Sequence, residues 1–355
     1  VLFEAVRNAK RGLAAFAAVA RSAAREISRV ESLVLRRSLA MRHVVPAALA
    51  CAISLCLIGS VDARSVAKPD AGFRLGDATV LPSPDLSKLT AEDAKTIGGA
   101  YRYGVQIPVS GMRIGQKGFG SWSRTAKGQS VWTWKAVSPA ARTIDMHFSR
   151  LVLPSSATLI IKGEGEGNQR FIDASQLSGT EFWSPYIAGE SVTLQLVVDA
   201  AQQKQVELEL AAVTHGYRGI FDTADSLEKS GSCNVDTICA TGNAWRDQID
   251  AVGQYTFSQG GSSYVCTGTL LANTSNSTTP YFLTANHCLS TQTVASTMVV
   301  YWNYQSATCR TVGSTASGTP INKSIASHSQ SGATLRATRS ASDFTLVQLN
   351  SAVPT

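Results

Sequence analysis

The feature that most narrows the fold is a two-residue rhythm of apolar and polar side chains that returns many times after Tyr101. Runs such as "RTIDMHFSRLVLP", "SATLIIKG", "SVTLQLVVDA" and "QVELELAAVTHGY" put their apolar side chains on one face of an extended chain and their polar ones on the other. "PSS" and "GEGEGN" supply the breaks between them. Several short strands at this spacing predict a β-sandwich between Tyr101 and Phe221. Upstream, the stretch from Arg64 to Leu86 is polar and poor in pattern, and "PSPDLSKLTAEDAKTIG" predicts a short helix capped by Ser87 or Thr90.

Composition changes at "FDTADSLEKSGSCN", Phe221 to Asn234, which is small, polar and charged and reads as an exposed linker. Beyond it strands resume in "AVGQYTF", "YVCTGTLLA", "YFLTANHC", "STMVVYWNY" and "DFTLVQL". A chain of 355 residues has room for two such cores, and no internal repeat relates them. The Gly-rich "GQKGFG" and "GEGEGN" lack the Gly-Lys-Ser/Thr ending of a phosphate loop and read as turns. Trp122, Trp132, Trp134 and Trp183 read as sheet packing, with a sugar-stacking face as the other reading.

The net charge of +7 suggests nucleic acid, but its distribution does not. Residues 1–40 hold 8 Lys/Arg against 3 Asp/Glu, whereas residues 230–355 hold 5 against 4. The body of the chain therefore has no basic stripe, and no nucleic-acid partner is expected. "MRHVVPAALACAISLCLIGSVDARS" has a basic start, an uncharged stretch from Val44 to Val61 and a small-residue cleavage site ending at Ala63, so residues 41–63 read as a secretory signal peptide. Residues 1–40 then read as an upstream extension that does not belong to the protein, with Met41 as the true start. The other reading is a cytoplasmic extension before a signal anchor, but the apolar segment is short for a span and contains Pro46 and Gly59. No stable membrane anchor is expected after cleavage.

Loss of the signal would remove Cys51 and Cys56 and leave Cys233, Cys239, Cys266, Cys288 and Cys309, all in the last third. Export would place them where disulfides persist, and their odd number asks for an explanation. None sits in a C-x-x-C pair with companion ligands, so no zinc site is expected.

"YFLTANHCLS" ends in His287, one of only five histidines, beside a cysteine. A histidine acting as a base needs a partner that sets its tautomer, normally a buried carboxylate. After His287 the chain offers one acidic residue, Asp343 in "SASDFTLVQLN", 56 residues on and directly before an apolar strand pattern. From the residues alone, His287 also fits a structural place at a strand end, and Asp343 a surface turn.

"TANHC" resembles the Thr-Ala-x-His-Cys segment of chymotrypsin-like serine proteases, and Cys266-Thr-Gly-Thr-Leu resembles their preceding cysteine strand. More narrowly, "GSCNVDTIC", "YFLTANHC", "VVYWNYQSATCR" and "SDFTLVQLN", in this order over about 230–355, are similar to the bacterial lysyl endopeptidases. "FWSPYIAGE" and "HGYRGIF" carry a weaker resemblance of residues 64–229 to that family's propeptide.

The resemblance implies a mainly β protein: a β-sandwich-like prodomain at 64–229, then at 230–355 the first β-barrel of a trypsin-like two-barrel protease, the second barrel missing. It implies a secreted serine endopeptidase zymogen, extracellular or periplasmic, with His287 as general base and Asp343 as its orienting carboxylate. Cys266 would pair with Cys288 and Cys239 with Cys309, while Cys233 would bond a cysteine farther along the family's sequence. The Cys266–Cys288 bond would close a loop of about 22 residues, contribute about 3 kcal/mol by chain entropy, and fix the turn that carries His287. No metal or organic cofactor is implied. The implied partners are protein or peptide substrates, cut after a basic residue such as lysine, and the chain's own propeptide. Cleavage after Lys229, four residues before Cys233, would free Ser230 as a new N-terminus; a lysine in a solvated loop is the plainer reading.

Two departures from the family stand out. No Gly-Asp-Ser-Gly-type segment occurs in the 355 residues, so the nucleophile, its oxyanion amides and the specificity pocket are expected outside them, and the chain alone is expected to be inactive. Asn286 stands where lysyl endopeptidases often carry a second histidine, which could alter the tuning of His287. The alternative to a protease is a secreted, non-catalytic β-protein that binds protein or carbohydrate at the cell surface.

Overall fold

The period-two runs fold as strands, and the first half of the chain uses them to build a sandwich. The computed structural model describes residues 78–96, 99–165, 167–219, 234–274, 277–306, 308–311 and 328–353. The expected extension and signal peptide, Ala63, Lys229, Ser230 and Cys233 lie outside these residues. In chain order the first half contains β1 (Thr79–Val80), α1 (Leu86–Asp93), β2 (Tyr101–Arg113), β3 (Ser121–Arg124), β4 (Gln129–Val137) and β5 (Thr143–Val152). It continues with β6 (Thr158–Lys162), β7 (Gln169–Ile172), β8 (Phe182–Trp183), β9 (Ile187–Ala188), β10 (Ser191–Asp199) and β11 (Glu207–Gly216).

One sheet of the sandwich has the order β1-β4-β10-β6-β7, with β3 paired to β4. The other contains β2-β11-β5, with β8 and β9 on β5. Alternation decides which side chains meet between them. Along β10, Val192, Leu194, Leu196 and Val198 are buried while the residues between them are not. In register with them on β4, Trp134 lies opposite Leu194 and Trp132 opposite Leu196. Both tryptophans are buried, their indole N–H groups donating to Thr79 Oγ1 and the Phe119 carbonyl. Trp122 packs against the same core, and Trp183 stacks on His147 at 3.9 Å. These four rings serve packing.

Helix α1 forms at the expected place but is capped by Asp85, whose carboxylate accepts the Lys88 amide at 3.1 Å. Ser87 and Thr90, the expected caps, lie inside the helix, where the Thr90 hydroxyl bonds back to the Leu86 carbonyl. An N-cap must stand outside the first turn to reach its free N–H groups, and only Asp85 does.

The second half contains α2 (Arg246–Asp250), β12 (Val252–Gln259), β13 (Ser262–Leu271), β14 (Tyr281–Thr284), α3 (Gln292–Ser296) and β15 (Val299–Trp302). It ends with β16 (Ser329–Ser331), β17 (Ala333–Arg339) and β18 (Phe344–Leu349). Pairings run β16-β15-β12-β13-β14-β18-β17 and curl into a nearly closed barrel. Gly332 donates to the Met298 carbonyl at 2.7 Å, and Gln292 of α3 bonds Leu335 and Ala333 on β17, which draws the two ends together. Gly260 and Gly261 join β12 to β13 with φ of 59° and 77°, the paired positive values that a two-residue hairpin loop requires. Inside, Phe282 sets its ring edge-on to Tyr255 and Trp302. Gly268 lies across from it, and a Cβ there would overlap the Phe282 ring. Phe282→Ala is expected to cost about 3–5 kcal/mol, read from the urea midpoint.

Strand β13 is shared. Ser262–Val265 pair with Tyr101–Val105 of β2, and Thr269–Leu271 pair with β14 on the same edge. The sandwich and the barrel therefore join in one twelve-stranded sheet. Tyr103, Trp183 and Tyr186 from the sandwich pack there with Val299 and Tyr301 from the barrel. Behind them Asp145 is buried, accepting a 2.7 Å bond from the Tyr103 hydroxyl. Burial pushes its carboxyl up to about 6. Because the folded value lies above the unfolded one, stability is expected to fall as pH rises from about 4 through about 6, by on the order of 3 kcal/mol. Asp145→Asn should flatten that dependence when urea midpoints are compared across this range.

Candidate active site

Register places the site. β14 and β18 run antiparallel with Thr284 opposite Thr345, so the residues that follow β14 and those that precede β18 emerge at one end of the barrel. His287 is three residues past Thr284, and Asp343 two before Thr345. β14 stops at Thr284, whose hydroxyl donates to the Thr267 carbonyl at 3.0 Å and meets the Tyr255 hydroxyl at 2.7 Å. The chain then turns, with Cys288 and Leu289 donating to the Ala285 carbonyl.

A disulfide from Cys288 to Cys266 ties this turn to β13, at the point where that strand changes partners from β2 to β14. A second bond joins Cys239 to Cys309. Both pairings are those that the family resemblance implied. Beside the second, the Asp236 carboxylate holds the Arg310 backbone amide at 2.9 Å and its guanidinium at 3.2 Å.

Asp343 follows a 3₁₀ turn, Ser340–Ser342, with φ 47° and ψ 43°. This left-handed conformation, which aspartate tolerates better than most residues, turns the chain from β17 into β18. Its carboxylate grips His287 twice: Oδ1 accepts the backbone amide at 2.9 Å, and Oδ2 lies 2.7 Å from Nδ1. Those bonds, backbone first and ring second, hold the Asp343 carboxyl below its ordinary range, and the Asn286 amide adds to the effect. The carboxylate is thus ionised at neutral pH and can only accept, so Nδ1 carries a proton, and in the neutral ring the lone pair lies on Nε2. A histidine so held can take a proton at Nε2 and share the resulting charge with Asp343.

Two features differ from expectation. The orienting carboxylate was expected to be buried, yet the side chains of Asp343 and His287 are 52% and 49% exposed. Sequence reasoning also passed over the backbone amides of His287 and Asn286, because main-chain donors carry no residue code. Sulfur and nitrogen donors of Cys266, Cys288 and His287 lie within 4.8 Å of one another, but both sulfurs belong to a disulfide and offer no thiolate to a metal. Among the described residues no helix is long and apolar enough to cross a membrane.

Residues 80–217 match the family model described as "Lysyl endopeptidase N-terminal domain", and residues 227–355 match "Lysyl endopeptidase, C-terminal domain". A curated protein of Pseudomonas aeruginosa, named "Lysyl endopeptidase", is 34% identical over 152 residues, which are 41% of this chain and 32% of that protein. The match thus spans about a third of the length of that protein.

Replacing His287 by alanine removes the ring bond to Asp343 but leaves the backbone amides. The Asp343 carboxyl is expected to titrate closer to, yet still below, the ordinary aspartate value of about 3.9. The carboxyl carbon shift followed by NMR against pH would show it.

Proposed function

Because the chain is a lysyl endopeptidase-like protein in its N-terminal and its C-terminal stretch alike, we propose that it is the precursor of a secreted serine-type endopeptidase that cuts after lysine. The observation that carries this reading is the 2.7 Å contact between His287 Nδ1 and the Asp343 carboxylate on an open end of the barrel. In the reaction, Nε2 of His287 takes the proton from a serine hydroxyl as that oxygen attacks the scissile carbonyl. The imidazolium is stabilised by Asp343 and gives the proton to the leaving amine. Asp343 stays ionised throughout.

The nucleophile lies outside these residues on this reading, since no Gly-Asp-Ser-Gly-type segment occurs among the 355. Backbone amides beside that serine would hold the oxyanion, and the pocket that reads the lysine side chain would lie with them. The half-exposed faces of His287 and Asp343 leave room for that segment to approach.

Residues 64–229 would act as the propeptide, and the Lys229–Ser230 bond as the site where the enzyme releases its own mature form. A lysine at that position suits an enzyme that cuts after lysine. The pairing of β2 with β13 supports a propeptide that stays engaged with the barrel until cleavage. Residues 41–63 would direct export and be removed after Ala63.

The test is lysyl-peptide hydrolysis by the product of the gene expressed with its downstream coding region. His287→Ala is expected to lower kcat by about a millionfold and Asp343→Asn by about ten-thousandfold, with secretion unchanged. Full activity in either variant would overturn the assignment. If the wild-type product shows no hydrolysis, the non-catalytic secreted β-protein is the better reading. Lys229→Gln should leave an uncleaved precursor on a gel, and a mature band of unchanged size would count against self-processing.

A further inference from the structure

The pair formed by His287 and Asp343 is half exposed, so surrounding side chains do little to fix it. Its geometry must come from hydrogen bonds and from the two turns that carry it. Those turns are themselves linked by contacts that neither His287 nor Asp343 makes. Asn286 Nδ2 donates to Thr338 Oγ1 on β17 at 2.7 Å. Thr338 Oγ1 lies 2.6 Å from Thr345 Oγ1, its direct cross-strand partner on β18. Thr345 Oγ1 in turn donates to the Leu289 carbonyl at 2.5 Å.

Counting protons gives the chain a direction. A threonine hydroxyl has a single hydrogen. Thr345 gives its hydrogen to Leu289, so the Thr338 hydroxyl is the donor between the two threonines, and its lone pair is free for the Asn286 amide. The weaker contact of Thr338 with the Phe344 carbonyl, at 3.2 Å, loses that competition. Hydrogen bonds pointing one way along a chain reinforce one another. The result is a clasp that leaves the His287 turn at the residue before the histidine, crosses β17 and β18, and returns to the same turn two residues after it.

The sequence pattern of β18 agrees with a dedicated role. Thr345, Val347 and Leu349 are its three buried residues, in alternation. A hydroxyl in an otherwise apolar row costs stability unless it is bonded. Thr345 occupies the row nearest Asp343, and its hydroxyl is spent on the histidine turn.

We infer that Asn286 and Thr338, relayed through Thr345, are positioning residues that hold the His287 imidazole against the Asp343 carboxylate. The inference rests on the protease reading for its purpose, but it can be tested without hydrolysis. In the 355-residue protein labelled with ¹⁵N-histidine, the His287 Nδ1 proton should give a low-field signal from its bond to Asp343. Thr338→Val and Asn286→Ala each break one link at a residue on the surface side of the clasp. Both should broaden or abolish that signal and move the Asp343 carboxyl titration up toward the ordinary aspartate range. Thr338→Ser keeps the hydroxyl and should restore the wild-type spectrum. A wild-type signal and an unchanged Asp343 titration in both Thr338→Val and Asn286→Ala would overturn the inference. Loss of the signal in Thr338→Ser as well would also overturn it, because the hydroxyl would then not be the active element. Absence of hydrolysis in the gene product would fell the protease reading and leave this result standing.

Discussion

The site depends first on the antiparallel pairing of β14 with β18. With Thr284 opposite Thr345, the end of one strand and the start of the other share one rim of the barrel. A one-residue slip would reverse the facing of every side chain on β18 and move Val347 and Leu349 out of the core. Core packing and site geometry are therefore enforced by the same register. The Cys266–Cys288 bond secures the other side of the histidine turn by tying it to β13. Two independent anchors, one covalent and one of strand pairing, leave His287 little freedom except rotation of its own ring, and Asp343 removes that.

A second consequence of strand geometry is the seam between sandwich and barrel. β13 gives one edge partly to β2 and partly to β14, so the barrel's sheet continues into the N-terminal half. Beside the buried cluster of Tyr103, Trp183, Tyr186, Val299 and Tyr301, the seam carries polar contacts. Thr214, Ser263 and Ser258 form a run of hydroxyl contacts, Tyr301 accepts the Tyr186 amide, and Asp145 takes the Tyr103 hydroxyl. The two large apolar cores stay separate on either side. Hydroxyl-rich contacts lose less on exposure to water than an apolar core would.

Much of this fold was legible in the residues because alternation survives folding unchanged. β10 shows the clearest case, with "SVTLQLVVDA" predicting its buried row. The histidine and the carboxylate stood out for a different reason: a histidine beside a cysteine and the one acidic residue after it narrow the field, and the family resemblance supplied the roles that the residues alone left open. What stayed hidden was relational. β16, β17 and the short helices α2 and α3 lack a strong local rhythm and take their form from the barrel around them. The Gly260–Gly261 hairpin carried a readable turn signal that the strand pattern alone did not weigh. The pairing of β2 with β13 joins segments about 160 residues apart, and no local pattern announces it.

Exposure at the site has a further physical meaning. In a fully buried histidine and carboxylate pair, desolvation would penalise the ion pair, and close packing would have to hold it together. Here the His287 main-chain and ring N–H donors each outweigh the opposing desolvation of Asp343, and its carboxyl stays ionised. Such a carboxylate stays ionised, but water competes for each of its exposed bonds. The left-handed backbone at Asp343 and the clasp through Asn286, Thr338 and Thr345 answer that weakness by constraining the turns instead of the side chains. Any segment that later covered this rim would strengthen the existing bonds by excluding water, without having to rearrange them. On the protease reading, the barrel would carry its half of a catalytic site in a preorganised form, its geometry set by backbone and hydroxyl groups.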